Sequence, residues 1–128
     1  MDGRRYVVKI IDGEAVKEEQ NGKTLLRIRI TAEMDGVRRD YVITYSRRGN
    51  NNAAVGFAVA RADAPGGREA DAERLVAVIK ALTGKEPKVY QKSDGKIEIV
   101  CTRAHLEGFR RFAELADAIA KWLEETGR

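Results

Sequence analysis

Hydrophobic and polar residues alternate along much of the first half of the chain. The clearest run is Lys23 to Glu33, in which Leu26, Ile28, Ile30 and Ala32 share one face. Arg27 and Arg29 fall on the opposite face. A period of two predicts a strand with one face in a core and both arginines outside it.

Four more segments of the first half show strand-forming composition, and turn-forming pairs separate most of them. The pairs Asp12-Gly13, Asn21-Gly22 and Asp35-Gly36 predict tight turns because these residues tolerate positive φ. The predicted strands are Arg5–Ile11, Glu14–Gln20 (a weak edge strand), Lys23–Glu33, Val37–Ser46 and Ala53–Asp63. Both faces of Val37–Ser46 are mixed, so we expect that strand to be half exposed. The small residues on one face of Ala53–Asp63 would let a helix approach closely.

The second half changes to a helical period. Leu75, Val76, Ile79 and Leu82 form one apolar stripe, which predicts a helix over Glu69–Thr83. A second, longer helix is predicted over Arg103–Thr126. Its seam is Phe109, Phe112, Ala116, Ile119 and Leu123, and Leu115 and Trp122 beside the seam widen the buried stripe. Between the helices, Lys88–Gln91 and Lys96–Thr102 predict a hairpin around Asp94-Gly95.

This order predicts a single α+β domain over residues 1–128. The N-terminal strands occupy residues 1–36, and a ββαββα unit occupies 37–126. Hairpin connections make the sheet antiparallel, a meander plus a hairpin with about five to seven strands, and we expect both helices on one face. The other face would stay open to solvent or to a partner.

Charge is distributed unevenly along the sequence. Residues 1–62 hold 12 basic and 8 acidic side chains, and residues 63–128 hold 12 and 12, so the net charge of +4 lies in the front half. A one-sided basic surface favours an acidic partner, and nucleic acid is the first to consider. The alternative is that the charge serves solubility alone.

The loop from Ser46 to Asn52 is the strongest candidate for contact with nucleic acid, because basic, Gly and Asn residues form the tip between two strands. Arginines can reach phosphates, and Asn side chains can bond phosphates or base edges. Tyr41 and Tyr45 would stack on sugars or bases if their face is open. We predict these contact residues: Arg27, Arg29, Arg38, Arg39, Arg47, Arg48, Asn50, Asn51 and Arg61. An ordinary solvated hairpin is the alternative interpretation.

The sequence lacks a recognisable catalytic or metal motif. Its single cysteine, Cys101, excludes an internal disulfide, and His105 is the only histidine. We therefore expect a non-catalytic protein without cofactor, metal or small-molecule substrate. Met1 leads straight into a charged strand, and no apolar run approaches about 18 residues, so we expect a cytoplasmic protein without membrane contact. A homodimer or another protein-interaction module is the open alternative to binding double-stranded DNA.

Several segments resemble a known archaeal family. They are Arg61–Leu75, Lys80–Gly84, Leu106–Phe109, Ala113–Ala118 and Trp122–Thr126. They are similar to the repeat-encoded PaRep family (second class, b type) of Pyrobaculum and related hyperthermophilic archaea. The resemblance implies a multicopy family of unknown biochemical function and supplies no catalytic residues.

Residues 37–126 also resemble the ββαββα portion of the LAGLIDADG homing-endonuclease fold, in which a saddle-shaped sheet grips DNA. In that family, a motif helix carrying a metal-binding acid precedes this portion, where the present chain has predicted strands. The resemblance therefore implies a degenerate, homing-endonuclease-like remnant that binds DNA through its sheet.

Overall fold

The computed structural model describes residues 7–48 and 53–126. Six strands form one antiparallel sheet in the order β1-β2-β3-β4-β6-β5. The elements are β1 (Lys9–Gln20), β2 (Lys23–Met34), β3 (Val37–Arg48), β4 (Ala53–Val59), α1 (Gly67–Thr83), β5 (Lys88–Gln91), β6 (Ile97–Cys101), α2 (Arg103–Phe109) and α3 (Ala113–Thr126). The predicted α+β class and antiparallel sheet are confirmed.

All three helices pack on one face of the sheet, and the core lies between the two layers. The alternating residues of β2 from Leu26 to Met34 are buried there, as the sequence predicts. The hairpins at Asn21-Gly22 and Asp35-Gly36 have positive φ at both positions, which matches the twist of the flanking strands. The opposite face carries no helix among the described residues, and we call it the open face.

The prediction of a turn at Asp12-Gly13 is wrong. β1 runs without interruption through this pair, with an irregular register between Ile10 and Asp12. Gly13 is buried, and a Cβ added to it would lie 2.6 Å from Cε2 of Phe112. The glycine therefore makes room for an aromatic ring beneath the strand, rather than turning the chain.

The predicted helix over Arg103–Thr126 is two helices. Tight bonds from Arg111 N to the Gly108 carbonyl and from Phe112 N to the Phe109 carbonyl turn the chain between them. α2 packs against α1, whereas α3 lies over β1 and β2. The buried residues of α3 are Leu115, Ile119 and Trp122, all of which the sequence pattern places in the buried stripe.

The strand predicted over Val37–Ser46 is half exposed, as expected, with one face buried and the other largely open. Tyr41, Ile43 and Tyr45 are all buried beneath the helices. Tyr45 packs edge-on against Trp122 and donates a hydrogen bond to the Thr102 carbonyl at 2.8 Å. This bond ties the start of α2 to the end of β3. Burial removes both tyrosines from contact with any outside partner.

Candidate nucleic-acid interface

The nine predicted contact residues do not form one surface. Arg27, Arg29 and Arg38 lie on the open face, since they alternate with the buried positions of β2 and β3. Arg39 and Arg47 point to the helix side, and Arg61 follows the end of β4. Asn50, Asn51 and the side chain of Arg48 lie outside the described residues.

The two arginines of β2 are paired with acids of the open face. Arg27 Nε lies 3.3 Å from Glu18, and Arg29 contacts Asp12 at 3.4 Å and Glu14 at 3.6 Å. Arg29 also donates a hydrogen bond to Thr31, which in turn donates to Asp40. These ion pairs cancel much of the field that the sequence pattern assigns to this face.

Arg39 is not on the open face, which corrects the sequence expectation. Its Nε donates to Asp71 at 3.0 Å, and both side chains are largely buried. Asp71 also accepts from the backbone N–H of Arg61 at 2.8 Å and lies 3.8 Å from Arg74. Because α1 supplies the carboxylate, β3 can carry an arginine under the helix layer, and this residue serves the fold.

Arg61 is exposed, but its guanidinium bonds Asp63 at 3.1 and 2.9 Å. The hydrogen bond from Arg61 lowers the pKa of the Asp63 carboxyl and the same pair raises the pKa of Arg61. Arg61 therefore stands beside a fixed negative charge two residues away.

The register of the sheet allows the charge of the open face to be counted. Strand residues with described side chains contribute six bases (Lys9, Lys23, Arg27, Arg29, Arg38 and Lys88) and six acids (Asp12, Glu14, Glu18, Glu33, Asp40 and Glu98). Among these described side chains, the charges of the face sum to zero, so acids balance the arginines that the sequence pattern places there. The centre of the face is apolar, formed by Val16, Leu25, Val42, Val55, Phe57, Val59 and Val100.

Among the described side chains, charge is nonetheless unevenly distributed along the strands of this face. The Asn21-Gly22 turn, the end of β3 and the start of α2 lie at the same end of the strands. We call this end of the sheet the hairpin end. The three rows of the face nearest it hold Lys23, Arg27 and Lys88 against Glu18, a balance of +2. The rows beyond hold Lys9, Arg29 and Arg38 against Asp12, Glu14, Glu33, Asp40 and Glu98, a balance of −2.

A second group of cations lies at the hairpin end, on the helix side. Arg103 and Arg110 both bond the carboxylate of Glu107, at 3.2 and 2.9 Å. Burial alone would raise the pKa of Glu107, but the bonds from Arg110 and Arg103 outweigh it and the pKa is lowered. Arg103 is close enough to Arg47 to contribute, after burial, to lowering the pKa of that guanidinium. We call Arg47, Arg103 and Arg110 the basic cluster.

Arg47 is held by the end of α3. Its guanidinium carbon lies 5.0 Å from the centre of the Trp122 ring, and its Nε donates to Thr126 at 3.2 Å. A helix C-terminus carries partial negative charge, which favours a cation there. Arg47 therefore anchors the hairpin to α3, and Arg103 and Arg110 are the more exposed cations of the cluster.

Sequence reasoning missed Arg103 and Arg110. Their spacing from Glu107 indicates a solvated helix turn, which is the common meaning of such pairs. Only the pairing of β4 with β6 brings the start of α2 beside the end of β3. No local pattern in the sequence carries that information.

Cys101 and His105 have structural roles. Burial raises the pKa of the Cys101 thiol to about 12, so the thiol stays protonated near neutral pH. His105 Nδ1 accepts the backbone N–H of Thr102 at 3.0 Å, while Nε2 lies 3.1 Å from the Glu86 carbonyl, which fits the tautomer protonated on Nε2. Within residues 7–48 and 53–126, no three His, Cys, Asp or Glu side chains are grouped as a metal site would require.

The comparisons with protein-family models, with curated proteins and with solved structures gave no match. In the described parts of the chain, no helix is at once long and apolar enough to cross a membrane.

Proposed function

We propose that the protein is a non-catalytic nucleic-acid-binding module that contacts double-stranded DNA through its hairpin end. The basic cluster carries the proposal, because two exposed guanidiniums share one carboxylate there and so keep a net positive charge. The positive half of the open face, with Lys23, Arg27 and Lys88, borders the same end. Arg48, Asn50 and Asn51 of the hairpin tip adjoin it in sequence.

The mechanism is electrostatic. Guanidinium groups bind phosphate oxygens in a bidentate manner, and each contact releases counterions from the nucleic acid. Glu107 holds Arg103 and Arg110 in fixed positions, which lowers the entropy lost when they meet a phosphate. Arg38 and Arg61 lie toward the opposite end of the strands and have no part in this contact.

Fluorescence anisotropy with a labelled DNA duplex at low salt tests the proposal. We expect the double variant Arg103→Ala/Arg110→Ala to bind about tenfold more weakly or worse, because two phosphate contacts are lost. The matched control is Arg38→Ala/Arg61→Ala, which removes two exposed guanidiniums from the opposite end and should bind within about twofold of wild type. Absence of binding by the wild type at tens of micromolar protein contradicts the proposal.

The test also separates the proposal from the sequence-based one. If the Arg38 and Arg61 substitutions weaken binding as much as those in the basic cluster, the contact extends over the open face after all. A parallel titration with RNA determines the type of nucleic acid. The family resemblances stay predictions, and a metal-dependent cleavage assay tests the implied absence of nuclease activity. We expect such a module to act in the cytoplasm.

A second candidate function is protein interaction, and the apolar centre of the open face favours it. Val16, Val42 and Val59 are 46%, 40% and 52% exposed. Contiguous exposed apolar side chains, ringed by polar ones, are typical of surfaces that bind other proteins.

A further inference from the structure

We infer that the open face pairs with the open face of a second copy of this chain, in a two-fold homodimer whose strands run antiparallel across the interface. In such a dimer, Lys23, Arg27 and Lys88 of the open face lie against the partner copy, which leaves contact with DNA to the basic cluster at the hairpin end. The two ideas are therefore tested with different variants. The inference of a dimer rests on the apolar centre, on the distribution of charge and on the size of the face.

The apolar centre provides the driving force. It extends across five neighbouring strands, from Val16 on β1 through Leu25, Val42 and Phe57 to Val100 on β6. Val59 is its most exposed member. Phe57 and Leu25 line a shallow hollow on the same face. Burial of such side chains between two sheets is the arrangement found in face-to-face sheet packing.

The charges select the partner and its orientation. The half of the face near the hairpin end has a balance of +2 and the other half a balance of −2. A two-fold axis that lies between the two sheets, across the direction of the strands, places the positive half of one copy over the negative half of the other. A parallel stack would oppose like charges, which is unfavourable. The face is therefore complementary to itself in one orientation, which is the requirement for a two-fold interface.

The face is large enough for a stable dimer. Five spacings between six strands, at about 4.8 Å each, give a width of about 24 Å. Strands of 7 and 12 residues rise about 23 and 40 Å. The open face of each copy therefore covers roughly 600 Å² or more. In an interface of standard size, each partner buries about 800 Å².

Sedimentation equilibrium of the wild type and two matched variants tests the inference. Val42→Lys places a charge at the apolar centre. Val89→Lys places the same charge on the edge strand β5, where the side chain points to the other face of the sheet. The two valines are similarly exposed, Val42 at 40% and Val89 at 38%. We expect a wild-type dimer at tens of micromolar protein. The Val42→Lys dissociation constant should rise at least about 100-fold, because each dimer would bury two lysines. Val89→Lys should dimerise like the wild type.

Circular dichroism confirms that each variant is folded before sedimentation is interpreted. A wild type that is monomeric at several hundred micromolar protein overturns the inference. So does a dimer that Val42→Lys leaves intact, because the contact then lies elsewhere. DNA binding is measured separately with the Arg103→Ala/Arg110→Ala variant, so failure of either idea is distinguishable from failure of the other.

Discussion

At the level of single residues, several charged side chains are already engaged within the fold. Asp71 is 2% exposed and joins α1 to Arg39 of β3 and to the backbone of Arg61. Arg74, also buried, donates to the Pro65 carbonyl at 2.6 Å and lies near Tyr41, whose pKa burial raises. Tyr41 Oη and Arg74 Nε are buried and have no hydrogen-bond partner among the described residues. Asp71 is the carboxylate that faces both Arg39 and Arg74.

Replacing Asp71 by Asn should destabilise the protein by about 3–5 kcal/mol, because Arg39 and Arg74 would be buried without their counter-charge. Urea unfolding followed by circular dichroism measures the change. Asp63→Asn is the control: that exposed carboxylate pairs only with an exposed arginine in the described structure, and its loss should cost less than about 1 kcal/mol. Equal effects of the two substitutions would show that Asp71 does not have this role.

Among the strands and helices, those with a strong local pattern could be predicted from the sequence. Features that depend on packing against distant parts of the chain could not. The period of two in β2 and the Asn-Gly and Asp-Gly hairpins decide structure locally, and the structure agrees with them. Gly13 and the break between α2 and α3 depend on what lies across the core. Asp12-Gly13 has turn chemistry, yet the ring of Phe112 accounts for the glycine. The helical period around residue 110 is continuous in sequence, yet α2 and α3 pack on different parts of the sheet.

Gly108 in α2 provides a test of this packing. Helix propensity alone predicts that Gly108→Ala stabilises the helix by about 1 kcal/mol. A Cβ there would lie 2.6 Å from Cβ and 2.8 Å from Cα of Thr83, so α2 would have to move away from α1. We therefore expect the opposite sign, a loss of about 1–3 kcal/mol in the free energy of unfolding, measured by urea denaturation.

The control for this prediction is Ala104→Gly, on the exposed side of the same helix. It should cost about 1 kcal/mol from propensity alone, without a change in packing. A Gly108→Ala protein more stable than wild type would contradict the close approach of α2 to α1.

At the scale of the whole molecule, the uneven charge of the sequence is reorganised by the fold. The excess of +4 lies in residues 1–62, and a stretch of sequence rich in arginine predicts a basic surface. Pairing of β1 with β2 instead sets Arg27 and Arg29 beside acids from β1. Packing of α1 on the sheet sets Asp71 beside Arg39. The members of these ion pairs lie far apart in sequence, except for Arg27 and Glu18. The candidate site could therefore be predicted at the hairpin, but its cations Arg103 and Arg110 could not.

The salt dependence of DNA binding reports on the proposed contact itself, because its slope counts the phosphate contacts that the hairpin end makes. The logarithm of the association constant should fall linearly with the logarithm of the salt concentration, with a slope near −0.9 per contact. We expect Arg103→Ala/Arg110→Ala to reduce the magnitude of this slope by about 1.8 and Arg38→Ala/Arg61→Ala to leave it unchanged. A slope that is the same in wild type and in the Arg103→Ala/Arg110→Ala variant would contradict the proposed contact.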